Sequence, residues 1–429
     1  MNTSKRWAWL TMLLIGILAV GTVSCSEEDD DNGAPVDPGT EVESAWWSSY
    51  SVLTPQGFVV YLKVSENIPT DFNTSNDVEL GLDQRVIGFE DHPYVYNPSA
   101  QTITKWAVNR NDLSLSVEGI LSVGSTGISA ESFANPIIVS ETQAFIHDLQ
   151  EGIMVEWNPT DMTITEVHEI EPLVPTHNNA FAGAFFTYVR GDKLIMPILE
   201  NRPSICCDIN TDNMGAKVAV YDINTKTIEY KRDIRLVYNW LFMAQDENGT
   251  LYLPPSREGA IVLEYFDVDP SQVPSPHTLL KFTDDGNYDP NFSYDFDQVL
   301  DIAMFDRVSF VFGNTVVLSY WDSNDAQLPA AFEEWGPWRG QNPQRLVSVD
   351  MITNEVEPFT ALEKYSNVSF LTRIDGVNYY AAQTGGFGVG ETGGSTSSHH
   401  LRQNADGSFT ELNSSSAVSP GLFGKLWGD

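Results

Sequence analysis

Gly152–Ile170, GIMVEWNPTDMTITEVHEI, decides the fold. Ile153–Trp157 and Ile164–His168 are dominated by apolar and β-branched residues and read as strands, while Asn158-Pro159-Thr160-Asp161 between them is turn chemistry. The same sentence returns at Lys217–Ile234, KVAVYDINTKTIEYKRDI, and at Arg345–Phe359, RLVSVDMITNEVEPF. Looser copies fit Ile103–Leu121, Ile261–Phe282 and His400–Leu412. Short-strand units recurring at a spacing of roughly 45–85 residues are the signature of a radially repeated β-sheet. The expected fold is all-β, a single β-propeller.

Pairs of strands a and b are expected at Pro136–Ser140 with Gln143–His147, Phe186–Arg190 with Lys193–Leu199, and Leu241–Gln245 with Thr250–Leu253. Two more are Ser309–Phe312 with Thr315–Trp321, and Ser369–Ile374 with Val377–Ala382. The blade count is six. A seventh is expected where the apolar Gly421–Trp427 pairs with Tyr50–Leu53 and Phe58–Val64, closing the ring and covering its edges; six and eight are the neighbouring counts.

In a blade of four antiparallel strands the b–c and d–a connections share one face. The long connections Glu200–Ala216, Asp322–Gln344 and Gln383–Ser398 are read as b–c loops. Glu171–Gly183, Thr283–Leu300 and Leu362–Asn367 are read as d–a connections, so all converge at one mouth.

The 429 residues, 42% hydrophobic, suffice for a large core, and the formal net charge of −36 excludes nucleic acid as a partner. Residues 1–24 read as a signal peptide: basic Lys5-Arg6, apolar Trp7–Val20, then small residues before Cys25. The segment resembles a lipoprotein signal, with Cys25 as the lipidated residue, an acidic tether over 25–42 and the propeller over 43–429. The expected location is the outer membrane, lipid-anchored and surface-exposed, with no other membrane contact. The adjacent Cys206-Cys207 would form a vicinal disulfide or remain two thiols.

Glu131–Phe145, ESFANPIIVSETQAF, followed by Ile153–Ile170 with its Trp157-Asn158-Pro159, resembles the corresponding passage of the MxcI-type lipoproteins of the myxochelin siderophore cluster. The likeness spans about Arg85–Ile234. It implies a monomeric accessory protein that binds a ferric siderophore, catecholate favoured, and hands it to a TonB-dependent outer-membrane receptor. The alternatives are a propeller hydrolase or lactonase, and a glycan- or protein-binding module.

A bulky, aromatic, anionic ligand calls for aromatic faces and cations. The candidate binding residues are His177, Asn178, Arg202, Tyr238, Trp240, Arg257, Trp321, Trp335, Trp338 and Arg339. Trp240 and Trp321 border strands and are as readily packing residues.

Catalytic and metal motifs are weak. Gly388–Gly393 matches GxGxxG but lacks a following helix, and His399-His400 would point to opposite faces of a strand. Asp208–Asp212, and the group Asp284, Asp285, Asp289, Asp295 and Asp297, are oxygen-rich without the glycine placement of a calcium loop. Neither a catalytic residue nor a resident cofactor or metal is assigned, iron entering only with the siderophore.

Overall fold

The structure is a computed structural model, and it describes residues 41–69, 72, 77–130, 135–174, 181–184, 186–201, 216–233, 243–255, 277–328, 344–365, 367–384, 397–404, 407–415 and 419–428. Seven four-stranded antiparallel sheets form a ring. Blade 1 comprises Ala45–Thr54, Gly57–Ser65 and Val78–Leu82, with Ser419–Trp427 as its strand a. Blade 2 runs through Arg85–Phe89, His92–Asn97, Thr102–Val108 and Leu115–Ser122, and blade 3 through Ile137–Ser140, Gln143–Asp148, Ile153–Asn158 and Thr163–Glu169. Blade 4 is Tyr188–Arg190, Lys193–Pro197, Ala216–Asp222 and Thr227–Asp233; blade 5 is Ala244–Gln245, Leu251–Leu253, Thr278–Phe282 and Tyr288–Asp295. Blade 6 is Ile302–Phe312, Thr315–Asp322, Arg345–Asp350 and Val356–Pro358; blade 7 is Asn367–Ile374, Val377–Thr384, Ser397–Gln403 and Phe409–Ser415. A two-stranded ribbon, Phe181–Gly183 with Leu199–Asn201, stands apart from the blades. Strands a of blades 5, 6, 7, 1 and 2 touch in succession around the axis.

The repeated stretch is the c–d hairpin, and its turn explains the recurring residues. Asn158 Oδ1 accepts from the backbone N–H of Thr160 (2.9 Å) and Asp161 (3.1 Å). Asp222 Oδ1 does the same for Asn224 and Thr225, and Asp350 Oδ1 for Ile352 and Thr353. In each turn the residue at the fifth position is left-handed: Met162, Lys226 and Asn354. Each turn also docks on the a–b turn of its own blade, through Thr160 N to Glu141 O, Ile223 N to Asp192 O and Met351 N to Asn314 O. A short side-chain acceptor opening the turn thus fixes the hairpin and ties outer to inner strands.

Both faces of a blade are buried, so alternation along a strand distributes apolar residues between two neighbours. On blade 3, Val155 and Trp157 pack with Tyr96, Ile103 and Ile146 toward blade 2, while Met154 joins Phe145, Leu194 and Tyr221 toward blade 4. Comparable apolar seams join blades 1 and 2, 4 and 5, 5 and 6, and 6 and 7. The seam between blades 7 and 1 is built differently, from Tyr379, His400 and Phe423 with the buried amide of Asn413. Into it runs the c–d connection of blade 1: Asn413 Nδ2 donates to Pro69 O, and Phe72 packs on Tyr50 at 4.9 Å.

Two expectations are corrected. The c–d hairpin of blade 5 is Thr278–Asp295, not Ile261–Phe282, whose residues 261–276 lie outside the described ones. Accordingly Thr283–Leu300 is not a d–a connection: it contains the turn Thr283–Asn287 and strand d, and only 296–301 leads to the next blade. The strand was missed because it lies at the rim, where Asp289, Pro290, Asn291 and Ser293 are tolerated; strand d is an edge that need not donate every N–H.

Candidate functional site

The described strands fix the end of the ring from which each connection leaves. The a–b turns are short, such as 191–192, 313–314 and 375–376. The b–c connections of blades 4 to 7 (198–215, 254–277, 323–344 and 385–396) and the d–a connection 170–187 all join strand ends on the opposite side. His177, Asn178, Arg202, Tyr238, Trp240, Arg257, Trp335, Trp338, Arg339, Cys25, Cys206 and Cys207 lie outside the described residues, as do Asp208–Asp212 and Gly388–Gly393. Trp321 is described. It sits one residue from the end of strand b of blade 6, opposite Met304, and is buried to 3% exposure.

The bases of these connections are held by buried polar groups. Where 323–344 leaves blade 6, Asp322 accepts from Asn324 and pairs with Arg345 Nη1 at 2.8 Å, and Arg345 Nη2 reaches Asp325 at 2.6 Å. Asp322 stays ionised below the usual carboxylate range, because these donors outweigh the burial that opposes them. Where 254–277 rejoins blade 5, His277 Nδ1 lies 2.8 Å from Asp297 Oδ1. Where 385–396 leaves blade 7, Thr384 Oγ1 is 3.0 Å from His399 Nε2, and His399 Nδ1 is 3.3 Å from Glu411 Oε1. The other oxygen of Glu411 receives Tyr365 Oη (2.8 Å) and Lys364 Nζ (2.9 Å), which hold the carboxyl below its ordinary range against the opposing effect of burial.

His399 and His400 do face opposite sides, His400 turning to Asn413 and Gly421. The aspartates at 284–297 are dispersed: Asp285 closes its turn with Thr283 and Asn287, Asp289 accepts from Asn291 N, and Asp295 caps Asp297 N.

Along the axis lies a cavity of about 580 Å³. Its walls include Tyr188, Met243, Val308, Phe370, Leu371 and Leu422 from inner strands, or the residues beside them, of five blades. Asp246, Glu247 and Arg373 line it at the a–b end; Arg373 Nη1 donates to Glu247 O, and Glu247 Oε2 accepts from Gly313 N at 2.9 Å. Burial pushes the Tyr188 phenol up, and its oxygen is fixed by Met243 N (2.9 Å) and O (3.1 Å). The cavity therefore offers a largely apolar wall with charged groups at its a–b end, suited to a flat or aromatic group.

Sequence reasoning did not single out Thr384, His399 and Glu411 as a group, nor Glu156, Glu166 and His168. Their association depends on strand register, and the only available signal was polar residues recurring at two-residue spacing on strands otherwise apolar.

No family model and no curated protein matches the chain. Among solved structures it is similar to a protein from Lactobacillus plantarum, at 9% identity over 90% of this chain and 99% of that one, with a TM-score of 0.40. Apo AztD from Citrobacter koseri is 10% identical over 90% of this chain and 99% of its own, with a TM-score of 0.36. The β-propeller domain of the Trilobed protease from Pyrococcus furiosus is 12% identical over 88% and 94%, with a TM-score of 0.40. The strand order and ring closure make this chain a seven-bladed β-propeller.

Proposed function

We propose that the chain is a lipid-anchored, non-catalytic binding protein of the outer membrane that captures a ferric siderophore of catecholate type and passes it to a TonB-dependent receptor. The observation that carries the reading is the gathering of the long b–c connections at one end of a closed ring, with their bases braced by Asp322–Arg345, His277–Asp297 and Glu411. A closed ring with long connections leaving one end suits recognition. The resemblance over Arg85–Ile234 supplies the ligand class, and Cys25 the anchor. Arg202, Arg257 and Arg339 are assigned the anionic ligand, since a chain of net charge −36 needs local cations to hold it; Trp335 and Trp338 are assigned its rings. Titration of the mature chain with ferric and iron-free catecholate, followed by tryptophan fluorescence, tests this. Saturable quenching by the ferric form alone, lost in Trp335→Ala/Trp338→Ala, is expected. Equal response to both forms, or to neither, contradicts it.

A second reading, a hydrolase, is favoured by the Thr384 hydroxyl beside His399 Nε2, with Glu411 Oε1 near His399 Nδ1 but outside hydrogen-bond geometry. Thr384 Oγ1 would attack an ester carbonyl while His399 Nε2 takes its proton and returns it to the leaving alcohol; water, deprotonated by His399, would then cleave the acyl-threonine, releasing the acid and restoring the hydroxyl. Ester hydrolysis abolished by Thr384→Ala would establish it; hydrolysis unaffected by that change excludes it.

A further inference from the structure

Alternation along strand c of blade 3 directs Met154 and Glu156 to the same side, toward blade 4, where the seam is otherwise apolar. Across the ladder Glu156 pairs with Glu166 and Met154 with His168, so two carboxylates and an imidazole share one face. One ligand atom from each lies within 4.8 Å of the others. His168 Nε2 is 3.2 Å from Glu156 Oε2, and Nδ1 is 3.5 Å from Glu166 Oε1. Glu156 is 14% exposed and His168 6%, whereas Glu166, at 61%, opens the group to solvent at the rim.

A second observation points into the same place. Tyr221, on strand c of blade 4, is fully buried, and its ring centroid is 6.3 Å from that of His168. Among the described residues its hydroxyl has no hydrogen-bond partner. A buried hydroxyl left unpaired is unfavourable unless something bound there receives it.

The seam already attracts a cation. Lys226, the left-handed residue of the blade 4 c–d turn, brings its ammonium to Glu156 Oε2, while Gln143 Nε2 donates to Oε1 at 2.7 Å. An ammonium on a flexible stem is a point charge that a better-held ion can replace.

We infer that Glu156, Glu166 and His168 form a binding site for a divalent transition-metal ion of the zinc type, with Tyr221 placed to hydrogen-bond a further ligand of that ion and Lys226 as the cation it displaces. One imidazole nitrogen with two carboxylate oxygens suits Zn²⁺ rather than the all-oxygen shell of Ca²⁺. The site is independent of the proposed siderophore face.

Calorimetric titration of the chelator-treated full chain with ZnCl₂, with Co²⁺ visible absorption as a coordination probe, tests the inference. One Zn²⁺ per chain is expected. His168→Gln should weaken binding by roughly 100-fold, as should be the least expected for a lost ligand when outer-shell losses already reach that range. Lys226→Met should tighten it by roughly tenfold, since a competing charge is removed. Should His168→Gln fail to fold, Glu166→Gln at its exposed position decides, with at least roughly tenfold weakening expected. Zn²⁺ uptake unchanged in Glu166→Gln would place the ion elsewhere, for example on the acidic 27–31 segment, and overturn the site. Absence of uptake by both the unaltered chain and Lys226→Met would overturn it equally.

Discussion

Nε2 of His400, on strand c of blade 7, lies 3.0 Å from the carbonyl oxygen of Gly421, on the C-terminal strand that completes blade 1. A carbonyl can only accept, so the proton resides on Nε2. Nδ1 is then free to accept from Asn413 Nδ2 at 2.9 Å. A neutral imidazole therefore bridges the last blade to the strand that closes the ring.

Acid should loosen this closure. Burial pushes His400 down to about 4, with the Gly421 bond opposing, and burial with the Arg85 charge pushes His147 down to about 4. The unfolded chain takes up these protons near pH 6.5, before the folded chain does. Stability is thus fully present above about pH 6.5 and declines as pH falls toward 4, by about 3 kcal/mol for each histidine. Urea denaturation across this range should show that slope, and His400→Gln should remove about half of it, leaving the share of His147.

Asn413 concentrates the remaining polar contacts of the seam. Its Oδ1 accepts from His400 N at 3.0 Å, and its Nδ2 donates to Pro69 O at 3.0 Å. Asn413→Ala leaves those buried groups unpaired and should lower unfolding free energy by about 2–4 kcal/mol in urea titrations.

Close approach of inner strands to the Trp47 indole makes two glycines necessary. A methyl group at Gly88 would overlap Trp47 Nε1, and one at Gly424 would come within 2.5 Å of it. Gly88→Ala should be destabilising by roughly 1–3 kcal/mol. The loss should shrink in a Trp47→Phe background, which a double-mutant cycle measures.

The opening turn residue of the repeat should matter on its own. Asn158→Ala removes the acceptor for Thr160 N and Asp161 N and should lower stability by about 1 kcal/mol, read from the thermal midpoint. Substitution of exposed Ile352, in the equivalent turn of blade 6, should have little effect.

The ring was legible in the sequence because the c–d hairpins of blades 3, 4 and 6 announce themselves twice, through strand alternation and through an Asn or Asp opening the turn. Pairing of the C-terminal strand with the first one, Ser48 opposite Phe423 and Tyr50 opposite Pro420, follows from the same need to cover an edge. Blade 5 was misread because its rim strand, Tyr288–Asp295, is polar enough to resemble a loop. The packing of Pro69 and Phe72 into the closing seam carries no periodicity and was not foreseen. Of the candidate binding residues, Trp321 is placed by the strand ladder as a buried side chain beside the loop end. The Glu156, Glu166 and His168 grouping was hidden inside the very stretch that reveals the fold. A register shift between Glu156 and Trp157 decides which side chains meet, and spacing alone does not disclose it.

The central claim is selective capture of an iron-loaded catecholate at the loop face. It is tested most directly by equilibrium dialysis of the mature chain against a radiolabelled ferric catecholate, beside the Arg339→Ala/Trp338→Ala variant and an excess of iron-free ligand. The account predicts one saturable complex per chain, undisturbed by the iron-free ligand and lost in the variant. Retention that is absent, or that the variant preserves in full, would contradict it.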